Sequence, residues 1–512
     1  MLLLIITATL LSLWFFRANF KDGTLWMLAT YLGVGLLLWN DYQAVSTMND
    51  ALPRIVRDFI LLGMVGFVQS LAVAKRISIV TAIVILFCLF AGAYFLNEMT
   101  AGDSAPSSNA DAVTTSISPS GNQLASDGEL LVQINHQSGL AALKKLAADN
   151  QWEISPAFQP QSPGITELDD FYTVDIEGDI ATAEAILTGA KGIIYHEPNE
   201  MITLGPLDLN AIPGEAEPAN NMSIDDPFTN MQWAMRVLNM DDYYRTLSDL
   251  RPKKLAKIAI LDTGVDAQHE DLKDNYISIE GKYDNDPVGH GTHCAGIAAG
   301  TTNNSIGIAS LAGNGAQPFV EVTSIKVLNA AGMGTQKSIV AGIIEAADEG
   351  ADVISLSLGG ASNGSRQRAY SQAVKYAHDN GAIVVAAAGN SNMDAYNYSP
   401  ANADGIITVT ALDEYLMRAP FSNKVNRLQR GIAAPGVAIY STTPNSTYNT
   451  YSGTSMACPF VAGLLGVMKS LDPDMQAAEA YSILQRTGKD VPDGAATGRV
   501  VQPAAAVSAT IR

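Results

Sequence analysis

Residues 257–262 read KIAILD. The run is almost wholly apolar, and it ends on an acid. A strand apolar at consecutive positions, rather than alternate ones, suits a parallel sheet covered on both faces. An acid placed directly after such a strand has to be hydrogen-bonded or paired, because a lone buried carboxylate is costly. Working outward, further strand-like runs follow: FVEVTSIKVL (319–328), ADVISLSL (351–358), AIVVAAAGN (382–390) and GIITVTAL (405–412). Helical segments alternate with them, SIVAGIIEAADEG (338–350) and SQAVKYAHDNG (371–381). That alternation predicts an α/β domain built on a doubly wound parallel sheet. Active groups in such sheets gather beyond the carboxyl ends of the strands.

The polar residues of interest fall at those ends. Asp262 closes KIAILD, His290 opens a small-residue segment GHGTHCAG (289–296), and Asn390 closes AIVVAAAGN. Ser455 lies in GTSMACPFVAG (453–463), ahead of an apolar run that reads as a buried helix. Alone, Ser455 is either an ordinary serine at a helix N-terminus or a nucleophile held at a turn. An acid, an imidazole, an amide and a hydroxyl together make the inventory for acyl transfer. Serine attacks a carbonyl, histidine takes its proton, and aspartate fixes the imidazole tautomer. The Asn390 amide and the Ser455 backbone N–H would hold the developing oxyanion.

The order Asp, His, Ser and the surrounding motifs resemble the subtilisin-like serine proteases. LDTGVDAQHEDL (261–272), GHGTHCAG and GTSMACPFVAG resemble that family's aspartate, histidine and serine motifs, and AAAGN its oxyanion segment. SLSLGG, FSN (421–423), AAPG (433–436) and the terminal GRVVQPAAAV (498–507) match further landmarks. The resemblance runs from about Asp225 to the end of the chain. It implies a serine endopeptidase with Asp262, His290 and Ser455 as triad and Asn390 as oxyanion donor. It also implies substrate backbone pairing along Ser357, Leu358 and Gly359, with Ala388 and Gly389 also binding substrate and residues near Tyr398 and Ser399 walling the first specificity pocket. His293 is expected to be structural. Cys458 and Phe460 depart from the residues usual in the family but supply no triad atom. TTNNSIGIAS (301–310) resembles a loop that holds structural calcium. Its expected oxygens come from Asp226, Asp271, the Asn304 side chain and the carbonyls of Thr302, Ile306 and Ile308, within the six to eight that calcium takes.

Composition bounds the rest. The 512 residues carry a formal charge of −20, which gives no electrostatic reason to bind nucleic acid. Three cysteines are too few for a disulfide framework; Cys294 and Cys458 are expected as buried free thiols, with one bridge between them as the alternative. Residues 1–96 hold four apolar runs, Leu2–Phe16, Thr24–Trp39, Phe59–Ala74 and Ile77–Leu96, read as transmembrane helices. Arg17, Lys21, Lys75 and Arg76 in the short loops place those loops in the cytoplasm and everything after Leu96 outside it. The expected location is the cell (inner) membrane, with the catalytic part on the periplasmic side.

Residues 97–128 read as a flexible tether. Residues 129–204 show the order β-α-β-β-α-β of a ferredoxin-like unit, with Ser138 as N-cap of its first helix and 191–204 as one closing strand. By resemblance this unit is a propeptide, its tail lying in the substrate cleft. Residues 205–224 form a polar linker suited to self-cleavage, expected between Leu204 and Ile224, and 225–512 form the catalytic domain. The partners expected are protein or peptide substrates, the membrane and the chain's own propeptide-like unit. Two other functions remain compatible with the motifs, a peptide ligase using the same acyl-enzyme and a non-hydrolytic membrane receptor.

Overall fold

The computed structural model describes residues 123–204 and 224–511, apart from 127, 137, 177, 316 and 363–366. The four apolar runs, most of the tether and nearly all of the 205–224 linker lie outside the described residues, so those readings rest on sequence.

The first unit has strands β1 (Leu130–Ile134), β2 (Glu153–Pro156), β3 (Phe171–Asp175) and β4 (Ile193–Pro198), with helices α1 (Gly139–Asn150) and α2 (Ile180–Thr188). Its sheet is antiparallel in the order β2-β3-β1-β4. Leu143, Ala147, Ala183 and Leu187 of the helices close over Leu130, Val132 and Val174. Ser138 sits at the N-cap position of α1 but makes no capping bond; its hydroxyl donates to Asn135 instead. Asp179 does cap α2, accepting from the Thr182 N–H at 2.9 Å. The expected closing strand 191–204 is two strands. Pro198 ends β4, and a separate β5 (Met201–Thr203) leaves the small sheet.

The large unit carries a six-stranded parallel sheet of β6 (Ala256–Asp262), β7 (Val320–Lys326), β9 (Val353–Leu356), β11 (Ile383–Ala387), β13 (Ile407–Leu412) and β14 (Gly431–Pro435). The order is β14-β13-β11-β9-β6-β7, every pair parallel. β8 (Met333–Thr335) pairs antiparallel with β5 of the small unit, so the two units share a ladder. β10 (Gly360–Ala361) pairs with β12 (Tyr398–Ser399), and β15 (Ile439–Thr443) with β16 (Thr447–Tyr451).

Period two along β6 sorts its side chains into two cores. Ile258 and Ile260 join the helices α3 (His290–Ala299) and α6 (Thr454–Leu471). Ala259 and Leu261 join α4 (Gln336–Asp348) and α5 (Arg368–Asp379) on the opposite face. α6 is the one helix among the described residues long and apolar enough to cross a membrane; here it is the buried axle of the domain. The chain winds from β6 to β7 on one side and resumes at β9 on the other. The crevice at this reversal, past the ends of β6 and β9, is where such sheets place their sites.

Candidate active site

Asp262, the last residue of β6, is fully buried. Its carboxylate accepts from the Thr263 N–H at 2.7 Å, which meets part of the cost of burying an acid there. Both of its oxygens lie 2.8 Å from Nδ1 of His290, the first residue of α3. Burial alone would lower the His290 pKa; the Asp262 charge and hydrogen bond, with Asp286 beyond, outweigh it and leave it raised. Asp286 is a residue that sequence reasoning missed. It accepts from the backbone N–H groups of Val288, Gly289 and Thr292 and from the hydroxyls of Thr263 and Thr292, all within 3.0 Å. The carboxylate thus fixes the turn that delivers His290 and ties it to the strand end that carries Asp262.

Ser455 is the second residue of α6, where backbone N–H groups have no acceptor within the helix. Its hydroxyl donates to the Ser357 carbonyl at 3.0 Å, just past β9. Among the described residues it makes no hydrogen bond to His290; such contacts often tighten only when substrate arrives. Asn390 follows β11. Its Oδ1 accepts from both the N–H and the hydroxyl of Thr454 at 2.9 Å, which turns the amide Nδ2 away from that partner. The Asn423 amide braces the same loop, accepting from Ser391 and Met393 and donating to the Ala388 carbonyl. Asn423 lies inside the quoted FSN, but its bracing role was not legible there. Ser357, Leu358, Gly359, Gly389, Asn390 and Ser455 line one small cavity, with Leu204 at its edge. Ala388 is buried behind it. Aspartate, imidazole, hydroxyl and amide therefore meet at one end of the sheet. The arrangement can move a proton through the imidazole and hold negative charge at Asn390.

His293 stands one turn along α3. Its Nε2 donates to the carbonyls of Ile439 and Asn449, and burial pushes its pKa down to about 3, so it stays neutral. Cys294 and Cys458 are free and buried. Cys294 offers its sulfur within 4.8 Å of the Asp262 and His290 ligand atoms. Burial holds its thiol well above the usual range, so it is protonated and no rival nucleophile.

The expected calcium residues form a second cluster. Asp226 accepts from the Asn303 and Asn304 N–H groups, and Asp271 from the Ile308 N–H and the Asn304 Nδ2. Burial pushes Asp226 to about 6 and Asp271 to about 8, and the two acids repel each other. A β carbon on Gly307 would come within 2.2 Å of Asp271 Oδ2, so the loop wraps the carboxylate as closely as backbone allows. Two crowded acids brought against one loop fit a hard cation.

A sequence model of the subtilase family matches residues 253–501. Thermitase of Thermoactinomyces vulgaris is 47% identical over 220 residues, covering 42% of this chain and 75% of thermitase. Subtilisin DY of Bacillus licheniformis is 41% identical over 244 residues, covering 46% of this chain and 85% of that protein. A solved protease chain from Pseudoalteromonas arctica superposes with a TM-score of 0.50 at 30% identity, spanning 56% of this chain and 100% of that one.

Proposed function

The chain belongs to the subtilase family and is a serine endopeptidase, and from that premise we propose a membrane-anchored, self-processed enzyme that cuts proteins outside the cytoplasm. Ser455 attacks the scissile carbonyl as His290 takes its proton at Nε2. Asp262, bound to Nδ1–H, holds the tautomer and balances the imidazolium. Asn390 Nδ2 and the Ser455 N–H receive the oxyanion. The imidazolium then protonates the leaving amine, and water releases the acyl group by the same path in reverse. The observation that carries this reading is the buried Asp262–His290 pair at 2.8 Å, beside a helix-terminal serine at the switch of the sheet. An intact pair of this kind favours hydrolysis over the receptor reading.

Residues 129–204 act as a propeptide in this account. The support is β5, which pairs with β8, and Leu204, whose N–H donates to the Gly332 carbonyl at 2.9 Å and which lines the Ser455 cavity. Self-cleavage then falls between Leu204 and Ile224. The hydropathy of residues 1–96 supports the anchor. Asp226, Asp271 and Asn304, with the carbonyls of Thr302, Ile306 and Ile308, would hold calcium, which would tie the loop to the segment that opens the catalytic domain. The assay is casein hydrolysis together with fluorophosphonate labelling of the purified full chain. Wild type should cut and label; Ser455→Ala should do neither. Undiminished labelling of Ser455→Ala would refute the assignment of the nucleophile.

A further inference from the structure

The Tyr398 ring fills the space between two chain segments beside Ser455. A peptide carbonyl placed at Ser455, with its oxygen toward Asn390, sends its own side chain between two walls. One wall is the chain leaving β9, Ser357–Gly359; the other is the chain leaving β11, Ala387–Gly389. The Tyr398 ring stands between them. A β carbon built on Gly359 would lie 2.5 Å from Tyr398 Cε1, and one built on Gly389 would lie 2.6 Å from Cε1 and Cζ. The ring thus touches both walls, and glycine on each side is what lets it fit.

It is also held there. The phenol donates to the Gly359 carbonyl at 2.8 Å, and the backbone of Tyr398 is paired with Ala361 in the β10–β12 ladder. The cavity left at Ser455 measures about 20 Å³. Leu204 is one of its walls, and the space holds roughly one water-sized group, about a methyl. In sequence, the residue after Leu204 is a glycine.

We infer that Tyr398 is the specificity-determining residue of this enzyme, a fixed plug that restricts cleavage to bonds following glycine or alanine. The inference rests on the protease reading above and names its substrate class. A closed pocket discriminates strongly, because a larger side chain must expel the ring and break its hydrogen bond.

The test compares two peptide anilides, identical except for alanine or phenylalanine before the scissile bond, with the full chain in detergent. Wild type should favour the alanine peptide in kcat/KM by roughly a hundredfold or more. Tyr398→Gly should raise the phenylalanine-to-alanine ratio by a similar factor, and Tyr398→Phe, which keeps the ring, should leave the ratio near wild type. Wild type cutting both peptides equally, or a ratio unmoved in a folded Tyr398→Gly, overturns the proposal. Calorimetric affinities of wild type for the same peptides carrying an uncleavable reduced bond separate the pocket from the chemistry. Preference for the alanine peptide supports the plug even if wild type turns over neither, in which case the protease reading fails instead. Equal affinities overturn the plug.

Discussion

Pro459 sits inside α6 and has no N–H to return to the carbonyl four residues back, which belongs to Ser455. That freed oxygen accepts from the Ser357 hydroxyl at 2.8 Å and the Cys294 thiol at 3.5 Å. The Ser455 carbonyl is therefore held by side chains from just past β9 and from α3. Ser357→Ala should cost about 1–2 kcal/mol in urea unfolding, since a buried carbonyl loses its better donor. Asn390→Ala should lower kcat by about 10²–10³ with little change in KM, because the amide acts on charge that appears only in the transition state. His290 must be neutral to act as base, and its pKa is raised above the usual 6.5. Activity should thus fall as pH drops through an acid limb of kcat/KM lying above 6.5. Residual activity of Asp262→Asn should show that limb at lower pH, because the charge that raises it is gone.

Elements carry these residues, and most of the elements were legible. The apolar strand runs announced the sheet, and the polar residues closing two of them, Asp262 and Asn390, announced its active edge. The supports were not legible. Asp286 looks like any loop acid, yet it gathers five donors from Thr263 to Thr292; Thr454 looks like part of a motif, yet it orients Asn390 from 64 residues away. Such roles depend on contacts distant in sequence, which periodicity cannot register. The break between β4 and β5 was missed for the same reason, since only the distant β8 shows where β5 belongs. Asp286→Ala should cost at least about 2 kcal/mol by leaving buried N–H groups unpaired, read as a lowered midpoint of denaturation, and should lower kcat as the His290 turn loosens. For the acidic loop, removing calcium with a chelator should lower Tm, by about 2.7 kcal/mol equivalent if the ion stood at a hundred times its Kd. Asp271→Asn should be insensitive to the chelator.

At the scale of the molecule, the small unit grips the large one at two helix N-termini. Glu197, fully buried at the end of β4, accepts from Gln336 Nε2 at the start of α4 and from the Arg368 and Ala369 N–H groups at the start of α5, all at 2.9 Å. Asn199 adds a bond from the Lys337 N–H. The α5 N-terminus meets this carboxylate with two backbone N–H groups, which offset part of the cost of burying it, and the β5–β8 ladder lies next to it. Glu197→Ala should loosen the docked unit by on the order of 2 kcal/mol, seen as faster dissociation of the two halves on a sizing column after processing. This grip makes the central claim open to one direct measurement: the mass of the catalytic fragment from membranes expressing wild type or Ser455→Ala. Wild type should yield a fragment beginning between residues 205 and 224, and the variant should remain full length. Full-length chain in both, or the same cut in both, would contradict a self-processing serine protease that carries its own propeptide.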